Sequence, residues 1–378
     1  MDFALSEQQE MLQKSARDFL SNEYSDKLIK EMAQDDTGCP PALWNKMAGL
    51  GWMALSIPEE FGGVGDFLDL ITVIKEMGRV CFINPFFSTM VLGASCIAEA
   101  GNKAQKERYL PAIAEGKVKV TLALTEASAS YAPGDIATRA TYQNGHYTLH
   151  GRKLFVPDAI SADHLICVAR TAENADLSQG ITLFLVDRAD PAVSCKSLQT
   201  ISGDKLCEVI LNSVQVPGEN VLGEVGKGWP NIEKVMDKAA VAICAEMVGG
   251  AERVLDLTLT YAKERMAFGH PIGAFQSVQH RCADMLMDLE SSRYVMYQAA
   301  WRLSEGIPAT REVAIAKSWA SQAYRRIVTS AHQIHGAVGF TEDHVLHWYT
   351  RRAKAREFSF GDTNFHLNRL SAMTQREN

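Results

Sequence analysis

Residues 265–276 read Arg265-Met-Ala-Phe268-Gly269-His-Pro271-Ile-Gly273-Ala-Phe275-Gln276, between two long stretches of helical spacing. Over 239–263, apolar side chains recur at three- and four-residue steps (Val241, Cys244, Met247, Val248, Ala251, Val254, Leu255), with no proline. Over 276–303 the same spacing runs through Val278, Cys282, Met285, Leu286, Leu289, Val295 and Ala299. Helices this long bury an apolar face by pairing, so the stretch predicts two paired helices. Gly269, Pro271 and Gly273 in the connector end helices and let backbone pass close to a partner. The arginine and two phenylalanines there are either a solvated charge with two core plugs or a set aimed at a ligand.

Working outward, helical spacing continues over 309–338 and 342–356. At the other end, 5–22 reads as an amphipathic helix opened by Ser6 with Gln9 three residues on, a capping-box pattern. Further helices are expected at 41–50, 67–80, 88–100 and 106–114. Between them, Gly51-Trp-Met-Ala-Leu-Ser-Ile-Pro-Glu-Glu-Phe-Gly-Gly-Val-Gly65 is too rich in glycine and proline for helix. From Lys117 the composition changes: 119–124, 140–149, 151–157, 165–169, 181–186 and 208–216 are short β-branched or alternating segments between polar turns. The expected fold is α+β in three parts: a helical segment (1–116), a β-domain built as a small barrel or stacked sheets (117–228), and a helical bundle (229–378).

The chain has 378 residues, 47% hydrophobic and 22% charged, ordinary globular usage with room for a large core. A net charge of −7 argues against nucleic acid or a polybasic membrane surface as partner. No apolar run approaches the ~20 residues of a membrane span, and Met1-Asp-Phe-Ala-Leu5 lacks a signal-peptide start, so a cytoplasmic protein is expected. Eight cysteines are scattered without a Cys-x-x-Cys pair or histidines at metal-ligand spacing; reduced thiols and no metal are expected.

Arg-x-x-Phe-Gly-x-Pro-Ile-x-x-Phe-Gln resembles a signature of the acyl-CoA dehydrogenase family, flavoproteins that oxidise acyl-CoA thioesters, and 51–65 resembles a second segment of that family. The resemblance implies FAD as cofactor and an acyl-CoA as substrate. It also implies that Arg265 and Phe268, with Phe275 and Gln276 beside them, reach the FAD of a neighbouring chain. A guanidinium suits a pyrophosphate, and a ring beside it can shield the cofactor. Leu124 and Thr125, at the end of Leu122-Ala-Leu-Thr-Glu126, resemble the strand whose threonine bonds the pyrimidine edge of the flavin. Phe155 resembles the residue covering the ring face, although Pro157 replaces a donor to the flavin and 127–135 departs from the family's loop. Gln333-Ile-His-Gly336-Ala-Val-Gly339 resembles the turn near the pyrophosphate and adenosine half, and Thr363 completes the implied FAD set. Arg352 stands where the family usually has an aspartate.

The reaction needs a hydride acceptor for Cβ and a base for the Cα proton. The family's base is most often a glutamate, and the matching residues here are Phe360-Gly361-Asp362-Thr363, with glycine in its place. A minority of the family carries the base on the first long helix of the bundle, where this chain has Ala239 and Ala240. Asp362 and Glu246 remain as carboxylates near those positions; the plain structural alternatives are a turn cap for Asp362 and a buried ion pair for Glu246. The backbone N–H of Gly361 survives, and in the family it hydrogen-bonds the thioester carbonyl, a donor of a kind worth ~3 kcal/mol. Three readings stand: a displaced carboxylate, a related chain that supplies the base, or a substrate that generates its carbanion by losing carboxylate or sulfinate. The assembly is either a homodimer or homotetramer or a mixed one with such a chain. No Gly-x-Gly-x-x-Gly follows a strand, so the acceptor is expected not to be a nicotinamide; the resemblance implies an electron-transferring flavoprotein.

Overall fold

The computed structural model describes residues 5–377. In chain order come helices α1 (Glu7–Glu23), α2 (Asp26–Gln34), α3 (Pro41–Gly49), α4 (Phe67–Arg79), α5 (Ser95–Ala100) and α6 (Lys103–Ala114). Strands β1 (Val120–Ala123), β2 (Arg139–Gln143), β3 (His146–Pro157), β4 (His164–Arg170), β5 (Ile181–Asp187), β6 (Val193–Leu198), β7 (Leu206–Pro217) and β8 (Val221–Leu222) follow. Last come α7 (Trp229–Glu264), the two-residue strands β9 (Met266–Ala267) and β10 (His270–Pro271), α8 (Gln276–Ser304), α9 (Thr310–His335), α10 (Leu346–Phe358) and α11 (Thr363–Glu377). The helical, β, helical order is the expected α+β architecture. By compactness the chain divides into two units, and the amino-terminal helices are shared between them.

One unit comprises the residues up to Ile29, Phe67–Phe82 and those from Asp237 on. The capping box of α1 forms as expected, Ser6 accepting from the Gln9 N–H. At its centre α9 packs against α8, α10 and α11. Small residues bring α4 and α7 together: a Cβ on Gly249 would lie 1.8 Å from the Lys75 carbonyl oxygen, and one on Gly78 2.1 Å from that of Glu246. Backbone contact this close admits only glycine. The same face carries a buried charge network in which Glu252 accepts from Lys75, Arg79 and Arg293.

The other unit comprises residues 30–66 and 83–236. Its sheet runs β6-β7-β3-β2-β4-β5-β8, with β1 joined in parallel to β4. The path ends at β6 on one side and β8 on the other, and the expected β-domain is present. Alternate side chains of β3, β4, β5 and β7, among them Leu149, Cys167, Phe184, Val209 and Val214, form its core. The stretch expected as one strand over 140–149 is a hairpin that turns at Asn144 (φ 51°) and Gly145 (φ 83°). Asn-Gly is the pair that a tight hairpin turn selects, because both residues tolerate positive φ.

Several elements depart from expectation. Helices α2 and α11 and strand β6 lie outside the expected elements; α9 ends at His335 rather than 338, and α10 starts at Leu346 rather than 342. The connector at 265–276 is a small β-hairpin leading into α8.

Candidate active site

In the sheet unit, β1 ends beside a bulge in β3. Leu154 and Phe155 lie between the register pairs Lys153↔Val209 and Val156↔Cys207, and Phe155 takes φ 56°. That conformation is costly for a side chain with a Cβ, and it turns the ring outward, 47% exposed. Thr125 is locked to the bulge: its N–H-bearing neighbour Leu154 donates to the Thr125 carbonyl (2.9 Å), and the Thr125 hydroxyl donates to the Leu154 carbonyl (2.5 Å). The hydroxyl is thereby left as an acceptor, suited to an N–H such as the flavin pyrimidine edge carries. Leu124 is buried and directs its carbonyl to Lys153 Nζ at 3.2 Å. Lys153, fully buried, also pairs with Glu126 at 2.6 Å, and Glu126 accepts from the Ala137 and Thr138 N–H groups. Burial favours the neutral acid at Glu126, but Lys153 and these hydrogen bonds outweigh it and hold the carboxyl below its usual range. The pair staples the 127–135 loop to β3.

In the helical unit, the hairpin tip is open to solvent. Phe268 (φ 52°) is 93% exposed and meets Phe275 edge-on at 6.2 Å; Arg265 and Gln276 are exposed beside it. Neither phenylalanine is a core plug, since Phe275 is only half-buried. Gln333, in the last turn of α9, and Gly336 (φ 64°) are likewise exposed, and the space where a Cβ of Gly336 would stand is empty within 4 Å.

Phe360, Gly361, Asp362 and Thr363 join α10 to α11. Phe360 and Gly361 both have positive φ, 54° and 95°. A Cβ at 361 would fall 2.3 Å from Cδ1 of Phe365 and 2.9 Å from Nε2 of His366. A glutamate there would be strained by the backbone conformation and would have to displace the Phe365 or His366 side chain. Asp362 Oδ1 accepts from the Phe365 N–H at 2.8 Å, capping α11. Thr363 Oγ1 is buried with no hydrogen-bond partner. Below the turn, Lys317 of α9 is fully buried and gives its three protons to the carbonyls of Gly361 (2.8 Å) and Glu357 (3.1 Å) and to Ser321 Oγ (3.1 Å). Burial pulls its pKa down to about 8. His366, also buried, donates from Nε2 to the Phe360 carbonyl at 3.0 Å, because that oxygen can only accept. Burial first, and Lys317 next, push its pKa to about 3, so the ring is neutral.

The candidate bases are committed elsewhere. Glu246 is held by two guanidiniums, Oε1 accepting from Arg352 Nε (3.0 Å) and Oε2 from Arg356 Nε (2.8 Å), with Arg352 buried. Arg352 in the family's aspartate position is thus the partner of Glu246. Ala239 and Ala240 are buried and carry no carboxylate. For both Glu246 and Asp362 the geometry is that of the structural alternative: an ion pair and a helix cap. His366 and Lys317 are not among the expected site residues; the one signal the sequence carries is the Asp362 cap ahead of Leu367 and Leu370, which announces a helix whose first turn holds the histidine. Among the described residues no cluster suited to a metal occurs, and no helix is long and apolar enough to cross a membrane.

FAD fits the residues present. Thr363 Oγ1 is an orphaned buried polar atom, Thr125 keeps free lone pairs, and Phe155, Phe268 and Arg265 expose rings and a guanidinium with space beside them. Three family models match in chain order: acyl-CoA dehydrogenase N-terminal domain over residues 6–117, middle domain over 121–214 and C-terminal domain over 226–374. The caffeyl-CoA reductase-Etf complex subunit CarC of Acetobacterium woodii is 33% identical over 345 residues, 90% of each chain. The butyryl-CoA dehydrogenase of Megasphaera elsdenii superposes with a TM-score of 0.91 at 30% identity, over 99% of this chain and 100% of that one. A chain of the ChsE4-ChsE5 complex of Mycobacterium tuberculosis does so with 0.89 at 27% identity, over 99% of both. With its helical, β and helical parts each matched along nearly the whole length, the chain belongs to the acyl-CoA dehydrogenase family, FAD-dependent oxidoreductases that act on the Cα–Cβ bond of acyl-CoA thioesters.

Proposed function

We propose that this chain dehydrogenates an acyl-CoA thioester in a mixed assembly, holding the thioester carbonyl at the Gly361 N–H while a related chain supplies the base. The observation that carries this is the closed position 361, where a Cβ meets Phe365 and His366. Ala239 and Ala240 offer no alternative, Glu246 is tied to Arg352 and Arg356, and Asp362 caps α11. With those carboxylates committed, the Cα proton is taken from outside this turn.

Thr125 and Phe155, with Leu124 backing them, are assigned to the flavin ring, and Thr363, with its unpartnered hydroxyl, is assigned to FAD on its own evidence. Arg265, Phe268, Phe275, Gln276, Gln333 and Gly336 reach the flavin of a neighbouring chain. FAD, when bound, supplies the acceptor for the hydride leaving Cβ. The Gly361 N–H steadies the negative charge that grows on the thioester oxygen as Cα loses its proton. A phenylalanine 93% exposed at a hairpin tip supports an intersubunit role for that hairpin. The ChsE4-ChsE5 neighbour, a complex of two named chains, supports the mixed assembly. An electron-transferring flavoprotein is the acceptor, a reading supported by the relative named as a subunit of a reductase-Etf complex. The eight free cysteines suit a reducing, cytoplasmic setting.

The test is the visible spectrum and flavin content of the chain purified alone, then anaerobic titration with straight-chain, branched and alicyclic acyl-CoAs. The chain alone is expected to leave the flavin band unbleached by the whole panel, and bleaching is expected once a related, glutamate-bearing chain is added. Full bleaching by the chain alone would overturn the shared-base reading.

A further inference from the structure

We infer that His366 is a positioning residue that aims and polarises the Gly361 N–H toward the thioester carbonyl. The inference rests on the proposed role of that amide. The Gly361 N–H belongs to the peptide group whose carbonyl is that of Phe360. His366 Nε2 donates to this carbonyl at 3.0 Å from the first turn of α11. A hydrogen bond to the oxygen of a peptide strengthens the same peptide as a donor, because the two dipoles polarise one another. Among the described residues the Gly361 N–H takes up no hydrogen bond of its own.

The next carbonyl along, that of Gly361, is held at 2.8 Å by Lys317 Nζ. The peptide is thus gripped on both sides while its N–H stays free, which is how two consecutive positive φ angles at 360 and 361 are maintained. His366 has a second feature that a packing residue would lack. Its Nδ1 is buried without a hydrogen-bond partner, so the ring gives up one polar contact to keep Nε2 on the Phe360 carbonyl. Glycine at 361 and histidine at 366 also go together sterically, since a Cβ at 361 would stand 2.9 Å from Nε2.

The test separates carbonyl recognition from binding in general. In the flavin-loaded protein, together with its partner chain where one copurifies, the dissociation constant of the best-bound saturated acyl-CoA is compared with that of its S-alkyl thioether, which lacks the carbonyl. The infrared stretch of the bound, ¹³C-labelled thioester carbonyl is recorded in parallel. The unmodified protein should prefer the thioester. H366L should cut that preference by about 3- to 10-fold, the worth of one hydrogen bond, and move the carbonyl stretch toward its solution value. H366Q places an amide nitrogen near Nε2 and should keep both; H366N is too short and should behave as H366L. If H366L does not fold, the Asn and Gln variants carry the comparison. Equal weakening of thioester and thioether in every variant would show a structural role only and overturn the inference. No preference in the unmodified protein would sink the reading of the Gly361 amide itself, and the inference with it.

Discussion

Restoring glutamate at position 361 should fail to restore a base. The backbone there has φ 95°, and holding a residue with a Cβ in such a region costs about 1–3 kcal/mol. The new Cβ would start 2.3 Å from the Phe365 ring and 2.9 Å from His366 Nε2. Phe365 is half-buried and can be pushed, but His366 is buried and bonded to Phe360, so overpacking adds about 1–3 kcal/mol more. G361E should therefore lose roughly 2–6 kcal/mol in urea unfolding, with G361A close behind because it carries the same Cβ. Neither should gain acyl-CoA-dependent bleaching. A triple variant, G361E with F365A and H366A, opens the space and should recover part of the overpacking loss. A G361E protein as stable as its parent that bleaches with acyl-CoA would refute the reasoning, because position 361 would then be open and the turn adaptable.

Replacing Glu246 by alanine leaves Arg352 and Arg356 without their carboxylate in a mostly buried site, and should cost about 3–5 kcal/mol by chemical denaturation. E246Q, which still accepts hydrogen bonds, should retain most of any turnover measured in the assembly; a stable E246Q that is inactive would reinstate this residue as a base. F268S should leave the melting temperature of the isolated chain within a degree or two, since the ring is 93% exposed, yet lower flavin content and shift the assembly toward smaller species on a sizing column. Lys317 loses its proton near pH 8, and an amine with two protons cannot serve Gly361, Glu357 and Ser321 at once. Thioester preference should fall above that pH, and the step should vanish in K317M. Stability moves the other way: between about 8 and 10.5 the unfolded chain holds a proton that the folded one lacks, so this group makes unfolding harder as pH rises. Cys244, Asp362, Glu357 and Arg356 face the same amine, so the K317M difference, rather than the raw profile, is the measurement.

The long helices and the strand segments were legible because their periodicity is set by burial: α7 and α8 repeat at helical spacing, and β4 and β5 run apolar through Leu165–Ala169 and Leu183–Val186, where both faces are covered. What was not legible is instructive. The Asn144-Gly145 turn carries its own signal, but the β-branched and aromatic residues on both sides also read as one strand. Helix α11 has a weak apolar stripe and begins at an aspartate, which in the sequence stands as readily for a displaced base as for a cap. The roles of Lys317 and His366 depend on which carbonyls lie above them, and that is fixed by the positive φ angles at 360 and 361, which no spacing rule reveals. The exposed set at 265–276 was legible as a set, because an arginine and two phenylalanines in a glycine-rich connector have no burial to explain them.

The two departures at Gly361 and Arg352 belong to one rearrangement of the charges beneath the turn. Arg352 draws Glu246 into an ion pair that also takes Arg356, and it reaches the Phe82 carbonyl at 3.3 Å. Arg356 lies one residue before Glu357, whose carbonyl is held by Lys317, and Lys317 in turn holds Gly361. The end of α10 is thereby fixed by side chains from α7 and α9, and the turn after it keeps its positive φ angles without help from a side chain at 361. A chain that had merely lost its base would be free to drift at that turn. Here the turn is held by Lys317, by His366 and by the Asp362 cap, and the group it leaves unclaimed is the Gly361 N–H. Such constraint is what an amide needs to hold a thioester oxygen, and it supports the proposal that this chain takes the carbonyl half of the reaction while another chain takes the proton half.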